Sequence, residues 1–241
     1  MLKKSFISLV VATLSLNANF LSKDTVDKDF NNLEIFKKNN VTVSSVYKEG
    51  NIYITNIKVN NMKDTVFLSE DKKYMFTGGI STESNGEALS SPVNLNIAKN
   101  KEAFTFGKGE EEYLLFTDPE CPFCKKFEEF LPELENKVKI KVFYLPLVDM
   151  HPTAKEVSKY QMSLKDKMPI IDILKIDNKN PGFINRTYDE KTSKLLEDKV
   201  NEQMKIADEF NINSTPTLID SKGKKITWTN FLQKQGIKLS K

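Results

Sequence analysis

The sequence predicts two α/β units in tandem: a small antiparallel sheet beside one amphipathic helix, then a larger unit built on a strand–helix–strand crossover. Three observations carry this. Between Val41 and Thr77 four stretches rich in β-branched and aromatic residues are separated by turn residues. From Tyr113 to Leu145 two short apolar strands flank a helical face. Between them, Gly78 to Pro92 turns to Gly, Ser, Thr, Asn and Glu, the composition of a connection.

The elements follow in order. Val26, Phe30, Leu33 and Phe36 fall at helical spacing among acids and lysines, which predicts a short amphipathic helix. Val41–Tyr47, Ile52–Val59, Thr65–Leu68 and Tyr74–Thr77 read as strands, punctuated by Gly50-Asn51, Asn60-Asn61 and Asp71. A unit of this size buries little surface alone, so pairing with a second copy would help it. Leu95, Ala98 and Ala103 predict a helix in the linker over 94–103. In the second unit Tyr113–Phe116 and Ile140–Leu145 are strands. Phe127, Phe130, Leu131 and Leu134 share a helical face, with Pro132 expected to kink the axis. Helices follow over 154–165 and 194–210. Strands at Thr217–Ile219 and Lys224–Thr227 join across Ser221-Lys222-Gly223, and a last helix runs through Phe231 and Leu232.

The chain has 241 residues, enough for one to two domains with a real core. With 39% apolar and 29% charged residues it lies outside the composition of disordered chains. No internal apolar run approaches the roughly 18 residues a membrane helix needs. A net charge of +3 without a basic block gives no electrostatic footprint for nucleic acid. At the start, Lys3 and Lys4 precede an apolar stretch from Phe6 to Leu16, broken by Asn17, Ala18 and Asn19, the layout of an export signal peptide cut after Ala18. Export implies an oxidising compartment.

The two cysteines, Cys121 and Cys124, stand as Cys-Pro-Phe-Cys directly after a strand and at the start of a helix. A zinc site would need a second pair, and the chain has one histidine, so no metal is expected. A structural disulfide would close too short a loop to staple much. Redox chemistry fits, because the thiolate is the nucleophile and a helix start supplies the N–H groups that stabilise it. Pro122 suits the first helical position. Cys121 is then the attacking thiol and Cys124, one turn inside, the resolving one. Glu120 opposes thiolate formation but reads as a solvated residue. Thr215-Pro216, just before a strand, is expected to be a cis bond that brings substrate-binding backbone against the cysteines. His151 reads as a cap or surface residue rather than a proton shuttle, Trp228 as local packing, and Asp118 as either a proton relay to Cys124 or a cap.

With Phe116-Thr117-Asp118-Pro119-Glu120-Cys121-Pro122-Phe123-Cys124 and Thr215-Pro216 on the page, the chain resembles the DsbC/DsbG family of bacterial periplasmic thiol:disulfide interchange proteins. The resemblance extends through Phe67–Ile80 and Pro92-Val93-Asn94. It implies a thioredoxin-like α/β catalytic domain with a helical insertion over 104–241, a linker with helix over 86–103, and a small cystatin-like α+β dimerisation domain over 24–85, after a signal peptide over 1–18. It implies a periplasmic homodimer that acts on unfolded or misfolded secreted proteins and is kept poised by a membrane redox partner. Cys121 and Cys124 would be catalytic, Thr215 and Pro216 substrate-binding, and Pro122 and Phe123 part of the active-site motif. No cofactor is implied beyond the redox-active Cys121–Cys124 disulfide. Thr before the proline matches the isomerase pattern, and Cys-Pro-Phe-Cys stands nearer the DsbG motif. A second, structural cysteine pair found in DsbC is missing. The expected activity is that of an isomerase or reductase of wrong disulfides. The alternatives are a dimeric dithiol oxidase and, in another class, a redox-independent chaperone.

Overall fold

A computed structural model describes residues 19–60, 62–77, 84 and 89–238. The expected signal peptide over 1–18 lies outside the described residues. The chain divides into two compact units, Met1–Gly79 and Ile80–Lys241. Among the described residues no helix is long and apolar enough to cross a membrane.

The first unit is a four-stranded antiparallel meander, β1 (Thr42–Glu49), β2 (Ile52–Val59), β3 (Met62–Ser69) and β4 (Met75–Phe76), paired in chain order. Gly50 turns β1 into β2 with φ +55°, where a side chain would be strained. The expected single helix is broken instead. A short α1 (Lys23–Thr25) runs into a π-helical turn over Val26–Phe30, and α2 (Glu34–Lys38) follows after a gap. The break has a cause in Asn31. Its side-chain oxygen accepts the Val43 N–H at 2.7 Å, and its amide reaches the Val43 carbonyl at 3.4 Å, beside a bulge in β1. Val26, Phe30 and Phe36 still reach one core with Val43, Val46, Ile57, Val66 and Leu68.

The second unit has a five-stranded sheet in the order β5-β7-β6-β8-β9, from β5 (Phe104–Phe106), β6 (Glu111–Thr117), β7 (Val138–Tyr144), β8 (Thr217–Ile219) and β9 (Lys225–Ile226). The central pair β6·β7 is parallel and the others antiparallel. Because side chains alternate along a strand, Tyr113 and Leu115 of β6 enter one core while Leu114 and Phe116 enter the other, so helices must cover both faces. The crossover between β6 and β7 is two helices, α3 (Pro122–Glu128) and α4 (Leu131–Leu134). Pro132 does more than kink the axis: it has no N–H for the helical ladder, and it sits in the first turn of a new helix. Beyond β7 come α5 (Ala154–Ser163), α6 (Ile170–Leu174), α7 (Pro181–Ile184) and α8 (Glu190–Glu209), the last capped by Asp189, whose carboxylate accepts the Thr192 N–H at 2.8 Å. After β9, α9 (Trp228–Lys234) closes the unit.

The segment expected as a linker helix is a single 3-10 turn, Leu95–Ala98. It packs within this second unit, where Ala98 is buried with Leu114, Phe116 and Phe143 and flanked by Val93 and Leu95. Gly223, at φ +79°, lets the chain pass: a Cβ there would stand 2.5 Å from the Val93 carbonyl.

Candidate active site

Three pieces of the second unit meet at one end of its sheet. β6 ends at Thr117, the loop 118–120 follows, and Cys121 caps α3 with extended backbone angles, φ −73° and ψ 123°. Pro122 opens the helix, where its missing N–H costs nothing. Cys121 and Cys124 are both free thiols, and Cys124 is wholly buried. Phe123 between them is 62% exposed, a large apolar surface beside the nucleophile. Opposite, the Thr215-Pro216 bond is cis, as expected from sequence. Cys121 Sγ stands 3.5 Å from the Thr215 carbonyl oxygen, across 94 positions of sequence. The Thr215 hydroxyl is buried without a hydrogen-bond partner. Pro216 also lines a cleft of about 540 Å³ with Ser214, Lys225 and Trp228.

The two sulfurs are made unlike. The Cys121 thiol is lowered to about 5, first by the hydrogen bond from the Cys124 thiol and then, against the opposing effect of burial, by backbone N–H groups of Cys124 and Phe123 at the helix start. Burial pushes the Cys124 thiol far up, and the hydrogen bond to Cys121 raises it further. The Asp118 N–H donates to Cys124 Sγ at 3.4 Å. One sulfur is thus a thiolate at neutral pH and the other a protonated donor to it.

Asp118 corrects its sequence reading. No side chain caps α3, so Asp118 is not its cap, and it meets Cys124 Sγ through its backbone N–H. Its carboxylate is fully buried and accepts the Glu120 N–H at 2.8 Å, the Leu147 N–H at 2.7 Å and His151 Nδ1 at 3.0 Å. His151, read as a cap or surface residue, is half-buried against it. Glu120 is tied to the Thr153 hydroxyl at 2.7 Å and to the Asn178 amide. Trp228, read as local packing in the last strand–helix corner, instead meets the cysteine helix, edge-on to Phe127 of α3 at 6.5 Å, and borders the cleft beside Pro216.

Two groups, buried Glu128 and half-buried Lys225, escaped the sequence reading. Glu128 on α3 is 5% exposed, accepts from the Thr117 hydroxyl at 3.2 Å and faces Lys125 Nζ at 3.6 Å. Burial raises its carboxyl to about 7, partly offset by Lys125. The spacing 121, 124, 128 places it on the face of the cysteines, a signal present in the sequence. Lys225, brought down to about 8 by burial, donates to the Asn211 carbonyl at 2.7 Å in the cleft wall. Its position one strand beyond Pro216 gave no such sign. Among the described residues no cluster of His, Cys, Asp and Glu could hold a metal ion.

No curated protein matches the chain. Among solved structures, the catalytic domain of Proteus mirabilis ScsC is 15% identical, covering 58% of this chain and 93% of that one at a TM-score of 0.43. A disulfide interchange protein from Neisseria gonorrhoeae is 21% identical, covering 56% and 95% at 0.40. Helicobacter pylori DsbG is 12% identical, covering 77% and 97% at 0.39. The family model for a thioredoxin-like domain matches residues 105–234, more than half of the chain. The match runs from β5 to α9 and takes in Cys121, Cys124 and the Thr215-Pro216 turn, so the chain belongs to the thioredoxin-like domain family.

Proposed function

We propose that the protein is an exported thiol:disulfide oxidoreductase that works as a disulfide isomerase or reductase of the DsbC/DsbG kind. The observation that carries this reading is the asymmetry of the cysteine pair: a low-pKa sulfur at the Thr215 carbonyl and a buried, protonated partner one turn inside the helix. The Cys121 thiolate attacks one sulfur of a substrate disulfide, forming a mixed disulfide and expelling the other sulfur as a thiolate. That thiolate can attack a different substrate disulfide, and the chain shuffles until a substrate thiolate displaces Cys121; this is isomerisation, with no net electron change. Alternatively Cys124 loses its proton and attacks Cys121 Sγ, forming the Cys121–Cys124 disulfide. The substrate then leaves reduced by two electrons, and a membrane redox partner must reduce the protein again.

The signal-like segment over 1–18 supports export to the periplasm, where non-native disulfides arise. The first unit supports a homodimer. Its edge strand β4 presents Met75 at 36% and Phe76 at 56% exposure, beside Tyr74 at 64%, an apolar edge that no other strand pairs among the described residues and that suits a second copy. Two catalytic units per assembly would hold an unfolded chain at high effective concentration.

The test uses the full-length protein with Cys124→Ser and Cys121→Ser. Cys124→Ser should accumulate mixed disulfides with scrambled substrate, visible as mass-shifted species that vanish with reductant. Cys121→Ser should trap nothing and lose turnover. Undiminished refolding of scrambled substrate by Cys121→Ser would leave a thiol-independent chaperone as the reading. A wild-type protein found mostly oxidised in the cell envelope would favour an oxidase.

A further inference from the structure

The Asp118–His151 pair lies under the loop that presents the nucleophile, yet the exchange steps above do not use it. Asp118 is fully buried, and its backbone belongs to the cysteine site at both ends: its carbonyl accepts the Cys121 N–H at 3.1 Å and its N–H donates to Cys124 Sγ. A buried carboxylate this close would by itself oppose a thiolate on Cys121, since two negative charges in a dry site repel. The structure places an imidazole against it. His151 Nδ1 stands 3.0 Å from Asp118 Oδ2, and His151 is anchored by its own N–H to the Leu147 carbonyl at 2.8 Å, on the segment whose Leu147 N–H also binds that carboxylate.

We infer that His151 is a positioning residue for Cys121: its imidazolium cancels the buried Asp118 charge beneath the cysteine loop, so the reactivity of the nucleophile follows the protonation of this one histidine. The inference rests on the exchange reading above and adds to it a group that sets its pH dependence. The charged groups facing His151 are Asp118, Cys121 and Glu120. The hydrogen bond to Asp118 is the main cause holding the imidazole above its ordinary value, burial opposes it, and the charges of Asp118, Cys121 and Glu120 add to it. Glu120 is drawn towards Thr153 and Asn178, which leaves Asp118 as the direct partner. The coupling is mutual: the cation favours the thiolate, and the thiolate favours the cation. Closing the Cys121–Cys124 disulfide removes the thiolate, so the histidine must then titrate lower.

The chain has one histidine, so its ring protons can be followed by NMR without assignment in a tag-free full-length protein. The His151 midpoint should be higher in the reduced protein than in the disulfide form, by about half a unit to one unit. Thiolate absorbance gives the reciprocal reading. His151→Gln should raise the Cys121 midpoint by about one unit, whereas His151→Lys, which keeps the positive charge, should hold it low. A merely structural histidine would shift both variants alike. Equal His151 midpoints in the two redox forms, or a Cys121 midpoint unmoved in His151→Gln, would overturn the inference. Exchange of wild-type protein with a small disulfide, run in parallel, tests the reading beneath it: failure there overturns the exchange chemistry, whereas normal exchange with unmoved midpoints overturns the role of His151 alone.

Discussion

Burial lifts the Glu128 carboxyl to about 7, well above its value in the unfolded chain, and this fixes the sign of its effect on stability. Between about pH 4.5 and 7 the folded protein holds this proton more tightly than the unfolded chain does, so stability falls as pH rises through that window. Above it the ionised, half-compensated carboxylate costs about 3 kcal/mol. Glu128→Gln keeps an oxygen for the Thr117 hydroxyl and removes the charge. It should gain about 2 kcal/mol at pH 8 and nothing near pH 4.5, read from urea midpoints at the two pH values. Equal gains at both would mean that ionisation of Glu128 is not the cause. Thr215 acts on the other side of the sulfurs, where its hydroxyl is buried without a partner. Thr215→Val should leave the melting temperature within a few degrees and change the reduction potential of the pair or slow release of a mixed disulfide. Unchanged potential and exchange rates would show that this hydroxyl does not act on the pair. The site was half legible at this scale. Cys121, Cys124 and Thr215-Pro216 are recognisable by type and spacing. The Asp118–His151 pair joins residues 33 positions apart with no periodic signal between them, and only the folded chain reveals it.

At the scale of elements, length decided what the sequence disclosed. The boundaries of β2 and β8 match their reading residue for residue, because β2 is eight residues between turn signals and β8 follows directly on Pro216. β5, with three residues, and α6 and α7, with five and four, are too short to show a period, and none was anticipated. The single N-terminal helix failed for a different reason. Its apolar spacing is real and its residues do reach the core, but Asn31 pairs with Val43 and pulls the backbone out of the helix. In the second unit the turn between β8 and β9 does more than reverse the chain, since Gly223 bonds the Val93 N–H at 2.9 Å and ties down the segment before the 3-10 turn. Gly223→Ala adds a Cβ against the Val93 carbonyl at a positive φ. It should destabilise the protein by about 2 kcal/mol, seen as a lower denaturant midpoint with an unchanged slope. Full stability in that variant would mean the contact is dispensable.

For the whole molecule, the proposed function assigns different tasks to the two units. The first unit, with ten buried apolar residues among those described and an exposed apolar edge, holds no candidate catalytic side chain among the described residues. The second holds Cys121, Cys124 and the groups described around them. Full-length protein should therefore sediment as a dimer, and charges placed on the β4 edge, as in Phe76→Lys, should release monomers that still exchange small disulfides but refold scrambled proteins poorly. A full-length monomer, or a monomeric variant with undiminished refolding activity, would sink that division of labour. The central claim is that Cys121 is a thiolate at neutral pH, and the alkylation rate of Cys121 in the reduced full-length protein, followed against pH, tests it most directly. The rate should rise through a single midpoint at about 5 and be level by pH 7, while Cys124 stays unmodified. A midpoint near 9, the value of an unperturbed thiol, would contradict it.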